Sequence, residues 1–234
     1  MAEADGSSIY AAGFTRFTEL DSADPFLLQS TFVSEVAAII LAAGRSERMG
    51  KFKPLLPFGP RNVIQSCIAY LNAASIENIV VVAGYRADDL RTSLKDSHVR
   101  LAVNPIPNSE MNSSIRFGIE ALPPESRAVL IALADHPAVA PKVVDDLVAE
   151  WRAGSPILKP TWNGRGGHPV LVDLSFRDEL VNLDPGKGLK GLFEKHEHLV
   201  KRLAVTSPYV ARDMDTWDDY VTLHKEVFGV DPTA

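Results

Sequence analysis

Hydrophobic and polar positions alternate in blocks along the chain from Val36 onward. Short apolar runs rich in β-branched residues alternate with stretches whose apolar residues recur at helical spacing. The predicted strands are 36–42, 78–84, 99–104, 128–135 and 200–205, and the predicted helices are 62–74, 87–95, 111–122 and 141–154. Such alternation requires crossover connections, so it predicts an α/β fold with three layers: a mostly parallel twisted sheet with helices on both faces.

The pattern changes after residue 155. In "PILKPTWNGRGGHPVLV", two strand-like pieces flank Asn163 and Gly164, which predicts a hairpin or a long loop. Short helical pieces are predicted further on, and a last helix is predicted from Thr216, because Thr216 and Asp219 have the spacing of a capping box.

Residues 1–34 show no sustained period. They are rich in small, polar and acidic residues, and we interpret them as an N-terminal extension of unknown role. The remaining residues, 35–230, are expected to form a single domain with a substantial core.

Composition narrows the classes of function. The chain has 24 Lys and Arg against 30 Asp and Glu, a net charge of −6, which argues against a nucleic-acid partner. Its apolar runs are shorter than the roughly 20 residues that cross a bilayer, and its first residues do not resemble a signal peptide, so no membrane association is expected. The single cysteine, Cys67, fits a reducing compartment, and the expected location is cytoplasmic.

A cationic loop stands out against this acidic background. Residues 45–53 contain Arg45, Arg48, Lys51 and Lys53 with one acid, Glu47. The loop begins where the first predicted strand ends, which is where open α/β sheets bind ligands. Five residues separate Gly44 from Gly50, so the loop is not a Walker A motif, and the G-x-G-x-x-G dinucleotide fingerprint is absent.

The residue types of this loop suit a nucleoside triphosphate. Ala42, Ala43 and Gly44 have small side chains, so backbone amides can approach phosphate oxygens or a base edge. Arg48 and Lys53 can neutralise the phosphates as charge builds up on a leaving group. A solvated basic loop with a tight turn at Gly44 is the alternative interpretation.

The stretch "LAAGRSERMGKFKPLLPF" resembles the L-A-A-G-x-S-x-R-M-G-x-x-K-x-L-L signature of the MobA-like nucleotidyltransferases, and it is most similar to their molybdenum cofactor cytidylyltransferase branch. The resemblance implies a Rossmann-like nucleotidyltransferase fold and transfer of CMP from CTP to the terminal phosphate of molybdopterin. The nucleotide-binding residues that it implies here are Leu41, Ala42, Ala43, Gly44, Arg45, Ser46, Arg48 and Lys53, and the implied catalytic residues are Lys53, Arg48 and Asp135.

Acidic residues are expected to face the cationic loop, because Mg²⁺ accompanies triphosphates and prefers carboxylate ligands. Asp135 follows an apolar run, and the next predicted helix begins at Pro141, too far away for Asp135 to cap it. "ADHP" resembles the family's D-x-P magnesium motif, and "DMDT" resembles its D-x-D-T element. We therefore expect Mg²⁺ on Asp135 and Asp215; for Asp215 a purely structural role beside the Thr216 cap stays open.

Two further segments carry the resemblance. "NPIPNSEMNSSIRFG" matches a family segment in which Asn104 would contact the base or ribose and Ser114 an anion, although Glu110 replaces the usual glycine. "GRGGHPVLV" matches the acceptor side, which implies that Gly167, His168 and Pro169 bind the acceptor. A histidine alone is more often structural.

The acceptor's identity is the least constrained part of the hypothesis. "LDPGKGLK" keeps Asp184, a further implied acceptor ligand, but has lysines where the branch has an arginine. A sugar phosphate or a polyol phosphate is an alternative acceptor. Another alternative is a non-catalytic protein that binds nucleotide or cofactor and delivers it to a molybdoenzyme.

Overall fold

The computed structural model describes residues 35–106 and 110–232, so the extension predicted for residues 1–34 lies outside the described residues. The strands are β1 (Val36–Ala42), β2 (Pro57–Phe58), β3 (Arg61–Asn62), β4 (Ile79–Ala83), β5 (Arg100–Val103), β6 (Ala128–Leu133), β7 (Ile157–Trp162), β8 (Arg165–Gly166), β9 (Val170–Asp173) and β10 (Val200–Ala204). The α-helices are α1 (Val63–Ala73), α2 (Ala87–Ser93), α3 (Met111–Glu120), α4 (Pro141–Arg152), α5 (Arg177–Val181), α6 (Gly188–Lys195) and α7 (Trp217–Phe228).

The main sheet has the strand order β10-β7-β9-β6-β1-β4-β5. Every neighbouring pair in this order is parallel except the two pairs that involve β9, which runs antiparallel to both β6 and β7. The prediction of a mostly parallel sheet is confirmed. The predicted hairpin is also present: β8 pairs with β7 through a turn at Asn163 and Gly164, whose φ angles are 48° and 78°.

Helices cover both faces of the sheet. Ile40 of β1 packs in one apolar cluster with residues of α1 and α4, and its neighbour Ile39 packs in a second cluster with Ile115 and Ile119 of α3. The alternation follows from the pleat, which directs successive side chains of a strand to opposite faces. Because both faces are covered, the strands read as continuous apolar runs.

A third apolar cluster joins α7 to the segment that follows the cationic loop. Its members are Met49, Leu56, Phe58, Val63, Met214, Tyr220 and Leu223. Tyr220 also donates a hydrogen bond from its hydroxyl to the carbonyl of Pro57, at 2.6 Å. Thr216 caps α7 in the predicted capping box with Asp219. The start of α7 is thereby fixed beside the loop.

No described helix combines the length and the apolar character that crossing a membrane requires.

Candidate active site

The cationic loop is folded by bonds that converge on Ser46. Its carbonyl accepts from the backbone N–H groups of Met49 and Gly50, at 3.1 and 3.2 Å, and its hydroxyl accepts from the N–H of Lys53 at 3.1 Å. Ser46 and Gly50 both have positive φ, 57° and 67°, as the reversal of the chain requires. The loop therefore returns to the end of β1 and places Lys53 there.

Lys53 lies between two carboxylates. Its Nζ is 2.8 Å from Oδ1 of Asp215 and 3.8 Å from Oδ2 of Asp135, and its side chain is only 12% exposed. Arg48 pairs with the other oxygen of Asp215. The hydrogen bond from Lys53, assisted by the charges of Lys53 and Arg48, lowers the pKa of Asp215. Asp215 is therefore ionised at neutral pH, and its side chain pairs with the loop, while capping of α7 falls to Thr216.

Asp135 lies two residues after the end of β6, and α4 begins at Pro141 with Ala140 as its N-cap, so Asp135 does not cap that helix, as predicted. Its Oδ1 is buried and has no hydrogen-bond partner. Nε2 of His136 lies 3.7 Å from this oxygen. A buried carboxylate oxygen without a partner is rare in folded proteins and indicates a ligand, commonly an ion or a water.

The residues present fit a divalent metal. Asp135 offers a free carboxylate oxygen, and Asp215 contacts the same ammonium group of Lys53. Within residues 35–106 and 110–232, no group of three or more His, Cys, Asp or Glu residues is arranged to hold a metal alone. Mg²⁺ is often bound by one or two carboxylates, with water and substrate phosphates as its other ligands.

Two cavities adjoin at this edge of the sheet, and Met111 at the start of α3 lines both of them. The smaller has a volume of about 260 Å³ and contains Lys53 and Asp135 in its wall. Its other lining residues are Leu41, Ala42, Ala43, Gly44, Ser46, Pro54, Met111, Ser114, Leu133 and Ala134. The larger has a volume of about 590 Å³ and lies between α3, α6, β7 and β10.

Most of the nucleotide-binding residues implied by the resemblance line the smaller cavity, and three have other surroundings. The guanidinium of Arg45 lies 5.3 Å from the ring centroid of Tyr85, and Arg48 extends to Asp215. Asn104 is buried, and its amide donates to the hydroxyl of Ser114 at 3.0 Å. Asn104 thus helps to position the start of α3, and its contact with a nucleotide stays a prediction.

Of the four residues predicted to bind the acceptor, only His168 lines the larger cavity. A Cβ atom at Gly167 would lie 2.1 Å from the carbonyl oxygen of Val210, so no larger residue fits there. His168 lines the cavity itself, whereas Pro169, which follows it, is buried. Asp184 accepts a hydrogen bond from the N–H of Gly186 at 2.8 Å and shapes the turn before α6.

His168 is neutral at physiological pH. Its Nδ1 lies 3.1 Å from the carbonyl oxygen of Ile131, and burial, the largest effect, lowers its pKa to about 4. Because a carbonyl only accepts, the ring hydrogen is on Nδ1 and Nε2 keeps a free lone pair.

Sequence reasoning missed Lys159, Phe193 and Arg202, which line the larger cavity, and His136, which is buried beside Asp135. A signal existed for one of them: Lys159 interrupts the apolar strand "ILKPTW" just before the glycine-rich hairpin. The other three lie in ordinary contexts, and only the folded chain brings them to the site.

A cationic loop opposite two carboxylates, at strand ends and beside a second cavity, is the arrangement of an enzyme that transfers part of a nucleotide. The model of the MobA-like NTP transferase domain matches residues 38–200, and the chain belongs to this family. The family resemblance in the sequence is thus confirmed.

The chain is also similar to individual cytidylyltransferases. The molybdenum cofactor cytidylyltransferase of Escherichia coli is 24% identical and aligns over 81% of this chain and 96% of its own length. The 2-C-methyl-D-erythritol 4-phosphate cytidylyltransferase of Streptomyces coelicolor is 32% identical over 54% of this chain and 50% of its own length.

Among solved structures, Rv0371c from Mycobacterium tuberculosis superposes with a TM-score of 0.74 and is 27% identical; the match covers 81% of this chain and 97% of Rv0371c. A structure of the same protein in complex with manganese gives a TM-score of 0.70 with the same coverage and 26% identity.

Proposed function

We propose that this protein is a Mg²⁺-dependent cytidylyltransferase, which transfers CMP from CTP to the terminal phosphate of molybdopterin and releases pyrophosphate. The observation that carries the proposal is the position of Lys53 between Asp215 and Asp135, on the wall of a cavity that shares Met111 with a larger one. Similarity to the E. coli enzyme over nearly its whole length supports CTP and molybdopterin as substrates.

The reaction is a displacement at phosphorus. An oxygen of the acceptor phosphate forms a bond to the α-phosphorus of CTP, and the bond from this phosphorus to the α–β bridging oxygen breaks. The electron pair of that bond leaves with pyrophosphate. The acceptor phosphate is ionised at neutral pH, so no side chain has to act as its general base.

The residues of the smaller cavity position the triphosphate and neutralise it. Backbone amides of residues 41–44 approach the nucleotide, and the ammonium of Lys53 stabilises charge on the departing pyrophosphate. Arg48 is 76% exposed, and an exposed ion pair is worth at most about 1 kcal/mol, so its guanidinium can exchange Asp215 for a phosphate at small cost.

Asp135 and Asp215 are the residues that would hold the divalent metal. When bound, such an ion withdraws charge from phosphate oxygens and orients them. The free Oδ1 of Asp135 and the low pKa of Asp215 support these two as its ligands.

A different small phosphorylated acceptor is the second candidate. The Streptomyces coelicolor relative is named for 2-C-methyl-D-erythritol 4-phosphate, and its identity to this chain is higher, although over a shorter alignment. Non-catalytic delivery of cofactor to a molybdoenzyme is the third, and Asp135→Ala separates it from catalysis: a delivery protein keeps its function without this carboxylate.

The decisive experiment measures pyrophosphate release from each of the four nucleoside triphosphates with Mg²⁺. Each is tested with molybdopterin, with 2-C-methyl-D-erythritol 4-phosphate and with no acceptor, and Asp135→Asn is the inactive control. We expect release only from CTP with molybdopterin. Release only with the polyol phosphate would replace the acceptor, and no release from CTP with either acceptor would overturn the cytidylyltransferase proposal.

A further inference from the structure

Among the described residues that line the larger cavity, one cation has no ion-pair partner. Its cationic lining residues are Lys159, Lys187, Lys190 and Arg202. Lys187 and Lys190 lie 3.9 and 3.7 Å from Glu194, and Arg202 lies 2.8 Å from Glu197. Lys159 forms no ion pair with any side chain that the structure describes. Its ammonium is therefore the one of these four that gives up no acidic partner of the described chain when an anionic ligand binds.

The fold holds the side chain of Lys159 in place. Lys159 projects from β7, which is paired on both sides, and its Nζ lies 5.5 Å from the ring centroid of Phe193. A Cβ atom built on Gly166 would lie 2.1 Å from Cε and 2.6 Å from Nζ of Lys159. The end of the Lys159 side chain thus lies against the α-carbon of Gly166. Because glycine has no Cβ atom, this position leaves room for the ammonium group.

Two histidines lie between Lys159 and Asp135, the carboxylate that lines the smaller cavity. The charge of Lys159 acts on His168, whose ring centroid is 5.9 Å from that of His136. Nε2 of His136 in turn lies 3.7 Å from Oδ1 of Asp135. An anion bound by Lys159 would accordingly lie on the side of the larger cavity that faces the reacting phosphates.

His168 does not compete for this role. Its ring is neutral, and its Nε2 presents a lone pair, which accepts hydrogen bonds and repels a phosphate oxygen. We therefore expect a ligand that contacts both Lys159 and His168 to carry an anionic group that binds Lys159 and an N–H or O–H group that donates to His168.

We propose that Lys159 binds the phosphate group of the acceptor, and that Gly166 is required because it keeps the Lys159 ammonium in position. The identity of the acceptor as a phosphorylated pterin rests on the proposed function; the presence of an anion site at Lys159 does not. A charge-assisted hydrogen bond of this kind is expected to contribute about tenfold or more to affinity.

The test is a titration without CTP, so that it does not depend on turnover. The probe is a pterin that carries one phosphate ester, compared with the same pterin without phosphate, and the measurement is calorimetric. Lys159→Gln should weaken binding of the phosphorylated probe about tenfold or more and leave the unphosphorylated probe unchanged. Arg165→Gln removes a cation from the same hairpin outside the cavity and should leave both affinities unchanged.

Gly166→Ala supplies an independent variant, because it displaces the ammonium without removing the charge. It should reproduce the loss, and the double variant with Lys159→Gln should lose little more, since both changes remove one interaction. The melting temperature of each variant identifies any that fails to fold.

Three results would overturn the inference: no binding of the phosphorylated probe to the unsubstituted protein, unchanged affinity in Lys159→Gln, or an equal loss for both probes. The two proposals fail separately. A protein that releases no pyrophosphate but shows the phosphate-specific loss contradicts only the proposed function, and active transfer with an unaffected Lys159→Gln variant contradicts only the role of Lys159.

Discussion

The ammonium of Lys53 and the carboxylate of Asp215 lie 2.8 Å apart although 162 positions separate them in the sequence. This contact joins the loop after β1 to the residue just before the N-cap of α7. It also makes Asp215 serve two purposes, because the same carboxylate orients Lys53 and is one of the two expected metal ligands.

Replacement of Lys53 should impair the chemical step. Lys53→Met removes the cation that faces the leaving group, and we expect kcat for pyrophosphate release from CTP to fall by about 10²–10³-fold. Lys51→Met is the matched control, because Lys51 belongs to the same loop but lies 4.6 Å from the ring centroid of Trp217. Equal kcat values for the Lys53 variant and the unsubstituted protein would contradict the catalytic role.

Removal of either carboxylate charge should weaken metal binding. We expect Asp135→Asn and Asp215→Asn each to raise the Kd for Mn²⁺ about tenfold or more in the presence of CTP, since each removes a charged ligand. Electron paramagnetic resonance of free Mn²⁺ measures this directly. Asp213→Asn, an exposed acid two positions before Asp215, should retain the original affinity. If all three variants bind Mn²⁺ alike, the metal lies elsewhere.

Replacement by alanine should have different effects at two glycines near the cationic loop. A Cβ at Gly44 would have no neighbour within 4 Å, so Gly44→Ala should leave the melting temperature unchanged and lower CTP affinity about tenfold, or about 1.4 kcal/mol, by obstructing the phosphates. A Cβ at Gly84 would lie 2.8 Å from the carbonyl oxygen of Ala43, so Gly84→Ala should reduce both stability and affinity. Normal CTP binding by Gly44→Ala would argue against close approach of a ligand to this backbone.

The low pKa of His168 makes stability depend on pH. His168 takes up a proton near pH 6.5 in the unfolded chain and only near pH 4 in the folded chain. Its neutral form therefore contributes fully to the free energy of unfolding above pH 6.5, and this contribution is lost as the pH falls towards 4. At pH 5 the expected loss is about 2 kcal/mol relative to pH 7.5.

Urea unfolding of His168→Gln tests this expectation, because glutamine does not titrate. Its free energy of unfolding should fall less between pH 7.5 and pH 5 than that of the unsubstituted protein. The same slope in both proteins would mean that His168 titrates normally in the fold.

The cap of α7 should matter for both stability and activity. Thr216→Ala removes the hydroxyl that accepts from the N–H of Asp219, a loss of about 1 kcal/mol in urea unfolding. Because Asp219 also accepts from the N–H of Asp215, we expect kcat to fall as well. Thr222→Ala, at an exposed position inside the helix, should instead be neutral or slightly stabilising. A Thr216→Ala variant as stable as the original would exclude the cap as a support for Asp215.

The positions of the parallel strands were well predicted from the sequence, because a strand buried on both faces is apolar throughout. β1, for example, has the predicted bounds, Val36–Ala42. It did not predict that β9 would lie between β6 and β7 and run antiparallel to both. Strand order depends on pairing between distant segments, and the local pattern of β9 is compatible with several positions in the sheet.

The candidate site was predictable to a similar degree. Charges of opposite sign at strand ends indicated that Lys53 and Asp135 would meet, since parallel strands end at one edge of the sheet. Lys159 was not predicted, because its significance lies in having no ion-pair partner in the described part of the chain and in its contact with Gly166, and both are properties of the folded chain.

The packing of α7 against the segment around Pro57 and Phe58 has a consequence for control of the enzyme. Asp215 lies next to the N-cap of that helix, so a displacement of the helix would move this carboxylate away from Lys53, yet none of the residues of α7 lines either cavity. A change in the position of this helix would therefore alter the candidate site without occupying either cavity.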